Sequence, residues 1–200
     1  MVYQPGSSYD DDADLTLYAV WKKTVADSFD DVQTGDWFYD AVRWANAQDI
    51  TQGTAARTFS PNLGCTRGQA VTFLWRAAGS PNVAASNPFN DVKRNDYYYA
   101  AVLWAKTYGI VYGVSDDTFA PNLAVSRAQF VTMLYRFAGS MPVYDSTGFD
   151  DVARNSYYAD AVRWCVSESI TNGTSGKTFS PDKVCTRAEI VTFLYRCCNS

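Results

Sequence analysis

The chain contains no histidine. That removes the commonest general base near neutral pH and the commonest zinc ligand, and it excludes Ser-His and Cys-His nucleophilic schemes. Positive charge is also short: 17 Lys and Arg against 21 Asp and Glu give a formal net charge of -4 and a pI near 4.7. Nucleic acid, which demands a basic footprint, is excluded as a partner of the chain as a whole, although a local Arg cluster could still hold an anion. No apolar run approaches the roughly 20 residues that span a bilayer, so membrane insertion is not expected. The N-terminus lacks a basic start followed by an apolar stretch. The five cysteines, Cys65, Cys165, Cys185, Cys197 and Cys198, are odd in number and form neither CxxC knuckles nor a disulfide framework. Most stand where a small hydrophobe would serve, and the Cys197-Cys198 pair lies on an apolar stripe and is expected to be buried. No cofactor is implied.

What the chain does have is enough apolar material for a core, at 47% hydrophobic and 16% aromatic residues. It also has a period. Phe29, Phe89 and Phe149 stand sixty residues apart, and the register holds through Trp44, Trp104 and Trp164, through Gly53, Gly113 and Gly173, and through Pro61, Pro121 and Pro181. It ends on Arg67, Arg127 and Arg187. Such matching defines one supersecondary unit in three copies, each completing its neighbours' apolar faces.

Within the first copy Phe38, Ala41, Val42 and Ala45 recur at helical spacing, predicting a helix that starts near Asp36 and fades before Ile50, with Asp96 and Ser156 as the equivalent caps. A turn-rich stretch runs from Gly53 through Pro61. A second helix then opens on Thr66-Arg67-Gly68-Gln69, Ser126-Arg127-Ala128-Gln129 and Thr186-Arg187-Ala188-Glu189, all of which fit the capping box. Cys65, Val125 and Cys185 precede the caps and can staple onto Ala70, Phe130 and Ile190. Stripes such as Ala70, Phe73, Leu74, Ala77 and Ala78, ending in Cys197 and Cys198 in the third copy, need partners that three helices around one axis would supply. Arg76, Arg136 and Arg196 suit the last turn, and Gly79 and Gly139 can end the first two copies.

At these residues the chain resembles the S-layer homology domain: Phe-Asp-Asp-Val, an aromatic helix, then Gly, Thr-Phe, Pro and a Thr-Arg-Ala-Glu element, in three ordered sets over residues 29 to 200. The resemblance implies a mainly α fold, three helix-loop-helix repeats in a pseudo-threefold spindle with a central three-helix bundle and grooves between repeats. It divides the chain into repeats at 28–87, 88–147 and 148–200. It further implies non-covalent anchoring at the cell wall or surface layer through a secondary wall polysaccharide bearing pyruvate ketals on N-acetylmannosamine. Arg67, Arg127 and Arg187 are then the recognition residues. Residues 1–27 are a separate tail and linker: Tyr3-Gln4-Pro5-Gly6 and Leu15 to Trp21 are similar to the end of a Listeria-Bacteroides surface repeat, a short β remnant that implies a larger multidomain surface protein.

The chemistry supports that reading. An Arg at the first helical position lies beside N-H groups that an isolated helix leaves free, so a carboxylate is the natural guest. Trp44, Trp104 and Trp164 could offer faces to a sugar ring, and Gly53, Gly113 and Gly173 would let backbone approach it. Plainer readings stand beside these. Each Arg could pair with Asp31, Asp91 or Asp151, and the Trp residues at helical spacing could be core. Asp30-Asp31 and Asp150-Asp151 could suggest a metal site, but they read better as turn and capping groups. Two departures matter: Gln69 and Gln129 replace the acid that only Glu189 retains, and the loops differ in charge at Ala56-Arg57, Asp116-Asp117 and Gly176-Lys177, so three equivalent grooves are not expected. The rival function is a structural or protein-interaction scaffold that binds no glycan. No acid-base pair for hydrolysis is visible, and no enzymatic activity is expected.

Overall fold

A computed structural model describes residues 29–144 and 146–199. The proposed β remnant at the N-terminus falls outside the described residues. Six helices follow in order: α1 (Tyr39–Ala47), α2 (Arg67–Ala77), α3 (Tyr99–Thr107), α4 (Arg127–Phe137), α5 (Ala159–Ser167) and α6 (Arg187–Cys198). Among the described residues there are isolated β-bridges and no strand.

The even-numbered helices start where the capping boxes stand. Thr66, Ser126 and Thr186 each accept a hydrogen bond from the backbone N-H three residues on, and the side chains of Gln69, Gln129 and Glu189 accept one from the backbone N-H of the cap. At the other end Ser80 N-H donates to Trp75 O and Gly79, at φ +82°, donates to Arg76 O, the double bond of a Schellman ending. The odd-numbered helices begin three residues later than the sequence predicts. Phe38, Tyr98 and Tyr158 are their caps, and none has a side-chain cap bond. Asp36 and Asp96 are occupied one turn earlier, accepting from Gln33 N-H and Lys93 N-H, while Ser156 donates to Ala153 O.

The three even helices meet about one axis, where α2, α4 and α6 all touch. Phe130 stacks on Phe193 at 6.3 Å, and Ala70, Phe130 and Ile190 are fully buried at the same repeat position. At the helix starts a closed ring of backbone bonds circles the axis: Cys65 N-H to Cys185 O, Cys185 N-H to Val125 O and Val125 N-H to Cys65 O, each 2.9 Å. Burial pushes the Cys65 thiol up to about 12 and raises that of Cys185 well above the usual thiol range, so both act as small hydrophobes. The stripes open to solvent at their ends. Ala78 and Cys198 are exposed and Cys197 is half-buried, because the bundle stops covering the helices there.

The odd helices pack outside, and each does so on another repeat's central helix: α1 on α6, α3 on α2 and α5 on α4. A sequence repeat is therefore not a folding unit. The loop between the helices is held by one carboxylate per copy. Asp31 accepts from Phe59 and Ser60 N-H, Asp91 from Phe119 and Ala120 N-H, and Asp151 from Phe179 and Ser180 N-H, all at 2.7–2.8 Å. Asp91→Ala should lower stability by about 2–3 kcal/mol, since two charge-assisted bonds are lost, as read from urea denaturation. Removing residues 148–200 takes α6 from α1, and the remainder should show no single cooperative transition by circular dichroism.

Candidate functional site

The three arginines are almost completely buried, at 5%, 2% and 3% exposure for Arg67, Arg127 and Arg187. Each reaches from the start of its helix into the loop of the next repeat. Arg67 Nε donates to Phe119 O, Arg127 Nε to Phe179 O and Arg187 Nε to Phe59 O, at 2.8–2.9 Å. Each guanidinium also lies over the ring of that same Phe at 4.7–4.8 Å. The ion pair with Asp31, Asp91 or Asp151 does not form, because those carboxylates are already committed to loop backbone.

The helix-start N-H groups are not free either. Arg67, Arg127 and Arg187 N-H donate to Leu123, Lys183 and Leu63 O, and the next residues, Gly68, Ala128 and Ala188, to Pro121, Pro181 and Pro61 O. The third N-H of each helix is taken by the cap hydroxyl. An anion approaching these helices finds the guanidinium and no vacant backbone donor, which corrects the expectation drawn from an isolated helix.

Two clefts open beside these side chains. One, of about 440 Å³, is lined by Arg67, Tyr112, Gly113, Gln129, Arg136 and Tyr157 among others. The other, of about 370 Å³, is lined by Arg187, Gly53, Gln69, Thr72, Arg76 and Tyr97 among others. Each combines an Arg from one repeat, a loop from the next and an aromatic residue from the remaining one. Neither lining contains a carboxylate. Arg67 Nη2 donates to Tyr112 O at 3.0 Å and Arg187 Nη2 reaches Thr51 Oγ1 at 3.3 Å, while Nη1 of each has no protein partner among the described residues. Burial pushes both guanidinium groups below the usual arginine range, so each gains from an added anion. A further cleft of about 350 Å³, lined by Tyr144, Phe149, Arg154 and Arg163, lies apart from all three buried arginines, and Asp160 neutralises its Arg163.

Arg127 sits differently. Its Nη1 donates to Glu189 Oε1 at 2.8 Å in a buried ion pair that Lys183 joins at 3.3 Å. Its Nη2 and Thr192 Oγ1 are the buried side-chain polar atoms left without a partner among the described residues.

The tryptophans are elsewhere. Trp104 and Trp164 are 5% exposed, packed against Phe137 and Tyr135, and the half-buried Trp44 packs against Tyr195. They seal outer helices onto inner ones, so their plainer reading as core holds. The groove aromatics are Tyr97 and Tyr157, at 61% and 65% exposure, with Trp37 at the same repeat position at 63%. Each stands edge-on to the ring that follows it, buried at Phe38 and Tyr98 and half-buried at Tyr158, 4.9–5.2 Å away. The sequence signal was an aromatic pair at 37–38, 97–98 and 157–158. Arg76 and Arg136 were also missed: Arg76 Nη1 donates to Ile50 O at 3.1 Å and Arg136 lies 4.7 Å over Tyr112, turning each into its cleft.

The glycines close the loop on itself. A Cβ on Gly53, whose φ is +85°, would stand 2.3 Å from Thr58 O and 2.6 Å from the Phe29 ring, and Gly113 and Gly173 meet equivalent obstacles. Gly53 and Gly113 also line the clefts. Loop charge is answered locally: Arg57 pairs with Asp30, and Asp117 accepts from Asn90 at 2.9 Å.

The S-layer homology domain profile matches residues 28–71, 88–131 and 148–191. The chain belongs to the S-layer homology domain family. It is 30% identical over 173 residues to an S-layer protein of Bacillus licheniformis, 28% identical over 173 residues to an endoglucanase of Bacillus sp. (strain KSM-635), and 27% identical over 173 residues to the S-layer protein EA1 of Bacillus anthracis. Each match covers 84% of this chain but only 18–20% of the relative. The chain is thus a cell-surface anchoring module of the wall or surface layer, and no described helix is long and apolar enough to cross a membrane.

Trp104→Ala should cost about 3–5 kcal/mol of stability, as expected for a buried aromatic, whereas Tyr97→Ala should cost about 1 kcal/mol or less. Thermal or urea unfolding of the two variants checks the assignment of core and groove.

Proposed function

We propose that the module holds its parent protein at the cell surface by binding an acidic wall polysaccharide in the Arg67 and Arg187 grooves, without catalysis. The observation that carries this reading is the lining of the two clefts. Each offers two guanidinium groups, at least one carboxamide and at least one exposed Tyr, with no acid to compete for a ligand. A carboxylate on a sugar meets the Nη1 donor of Arg67 or Arg187, and the second arginine, Arg136 or Arg76, adds charge at the same wall. Gln129 and Gln69 spend Oε1 on the helix cap, at 3.2 and 3.1 Å, which leaves their amide N-H groups as further donors. Tyr157 and Tyr97 give apolar rings to a pyranose face. Partial desolvation of their hydroxyl ends raises both phenols, so they stay protonated and can donate as well.

Pyruvate ketals on N-acetylmannosamine fit these requirements, since they place a fixed carboxylate beside a ring and an acetamido group. Hydrolysis needs a general acid and a second carboxylate, and these grooves supply neither. Two grooves on one rigid body raise residence on a polymer through effective concentration.

The Arg67→Lys, Arg187→Lys double variant keeps both charges but loses the planar fork. It should bind pyruvylated wall polysaccharide about 10–100-fold more weakly, the worth of charge-assisted hydrogen bonds, and unfold at lower urea concentration because two Nε–carbonyl bonds between repeats are lost, so binding is compared under conditions where circular dichroism shows the variant folded. Removing pyruvate from the polymer should weaken wild-type binding at least as much. Undiminished binding to the depyruvylated polymer contradicts the recognition mechanism. Capture of a surface protein from wall-stripped cells, with no affinity for isolated polymer, would favour the scaffold role.

A further inference from the structure

Resting on that reading, we infer that Tyr112 makes the two grooves unequal: its ring seats Arg136 with the hydrogen-bond donors free, so the Arg67 groove grips an acidic sugar more tightly than the Arg187 groove does. Gln52 and Asn172 hold the position of Tyr112 in the other two repeats.

The arginines in the last turns of the central helices show what the ring changes. Arg76 Nη1 donates to Ile50 O at 3.1 Å, and Arg196 Nη1 to Ile170 O at 2.9 Å. Ile110 O is the matching carbonyl in the second repeat, but Arg136 makes no side-chain hydrogen bond among the described residues. Its guanidinium carbon stands 4.7 Å over the Tyr112 ring instead. A ring face attracts a cation through its π electrons and needs none of the N-H donors, whereas a carbonyl consumes one. The Tyr112 carbonyl meanwhile accepts from Arg67 Nη2 at 3.0 Å. One residue thus touches both arginines of its groove, Arg67 through the main chain and Arg136 through the ring.

Charge acts in the same direction. Lys106 Nζ lies 5.1 Å from the centre of the Tyr112 ring, so two cations share it. They repel each other, and a carboxylate bound beside them relieves that repulsion. At the Arg187 groove Asn46 and Gln52 stand in place of Lys106 and Tyr112, and the Asn46 amide donates to Thr51 O. Tyr112 is therefore a positioning residue for Arg136, whose planar fork remains whole for a carboxylate, while Arg76 has already committed one terminal nitrogen to backbone.

Isothermal titration calorimetry of the full 200-residue chain with the methyl glycoside of pyruvylated N-acetylmannosamine tests this. Two sites about 10-fold apart are expected, the worth of a freed charge-assisted hydrogen bond. Tyr112→Gln, which installs the first repeat's residue at an exposed position, should weaken the tight site about 10-fold, with circular dichroism unchanged. Tyr112→Phe keeps the ring and should stay within about twofold of wild type. In an Arg136→Ala background Tyr112→Gln should cost nothing further, because the ring acts through that arginine. Equal sites in the wild type, an unweakened tight site in Tyr112→Gln, a matching loss in Tyr112→Phe, or the full loss persisting without Arg136 overturns the role of Tyr112 and leaves glycan recognition standing. No saturable binding by the wild type overturns recognition as well.

Discussion

The hydrogen bond from each buried Arg Nε to a carbonyl of the following repeat is the interaction on which the rest depends. It is made at Phe119, Phe179 and Phe59, with the guanidinium lying over the ring of the same residue. A charge this deep is costly unless its donors are used, and in each arginine two nitrogens donate to protein. What is left over defines the grooves. The same side chain therefore ties neighbouring repeats together and presents the remaining donor to ligand, so architecture and recognition cannot be separated at these positions.

The ring of backbone bonds through Cys65, Val125 and Cys185 and the cross-packing of outer on inner helices make the module cyclic. Every groove draws on all three copies. This explains why loop charges that differ between copies leave the clefts largely alone. Arg57 and Asp117 are matched at Asp30 and Asn90, outside the clefts.

Much of this was legible in the sequence. The period of sixty, the capping boxes and the apolar stripes identify the central bundle, because each is a local pattern with a local physical cause. The ion-pair reading for the arginines was overturned because Asp31, Asp91 and Asp151 find loop N-H groups first. The supply of free helix N-H groups vanished because neighbouring loops pass directly over the helix starts, which is a tertiary fact. Trp44, Trp104 and Trp164 drew attention as large aromatics but lie in the seams, while Trp37, Tyr97 and Tyr157 sit one residue before a ring that turns inward and were read past. A pair of adjacent aromatics marks a boundary between core and surface without saying which ring faces which way.

The most direct test follows the arginine side chains themselves. With the guanidinium nitrogens labelled, Nε-H resonances can be recorded by NMR while pyruvylated wall polysaccharide is added. The account predicts saturable shifts for Arg67 and Arg187. Polymer binding that leaves Arg67 and Arg187 unchanged would contradict it.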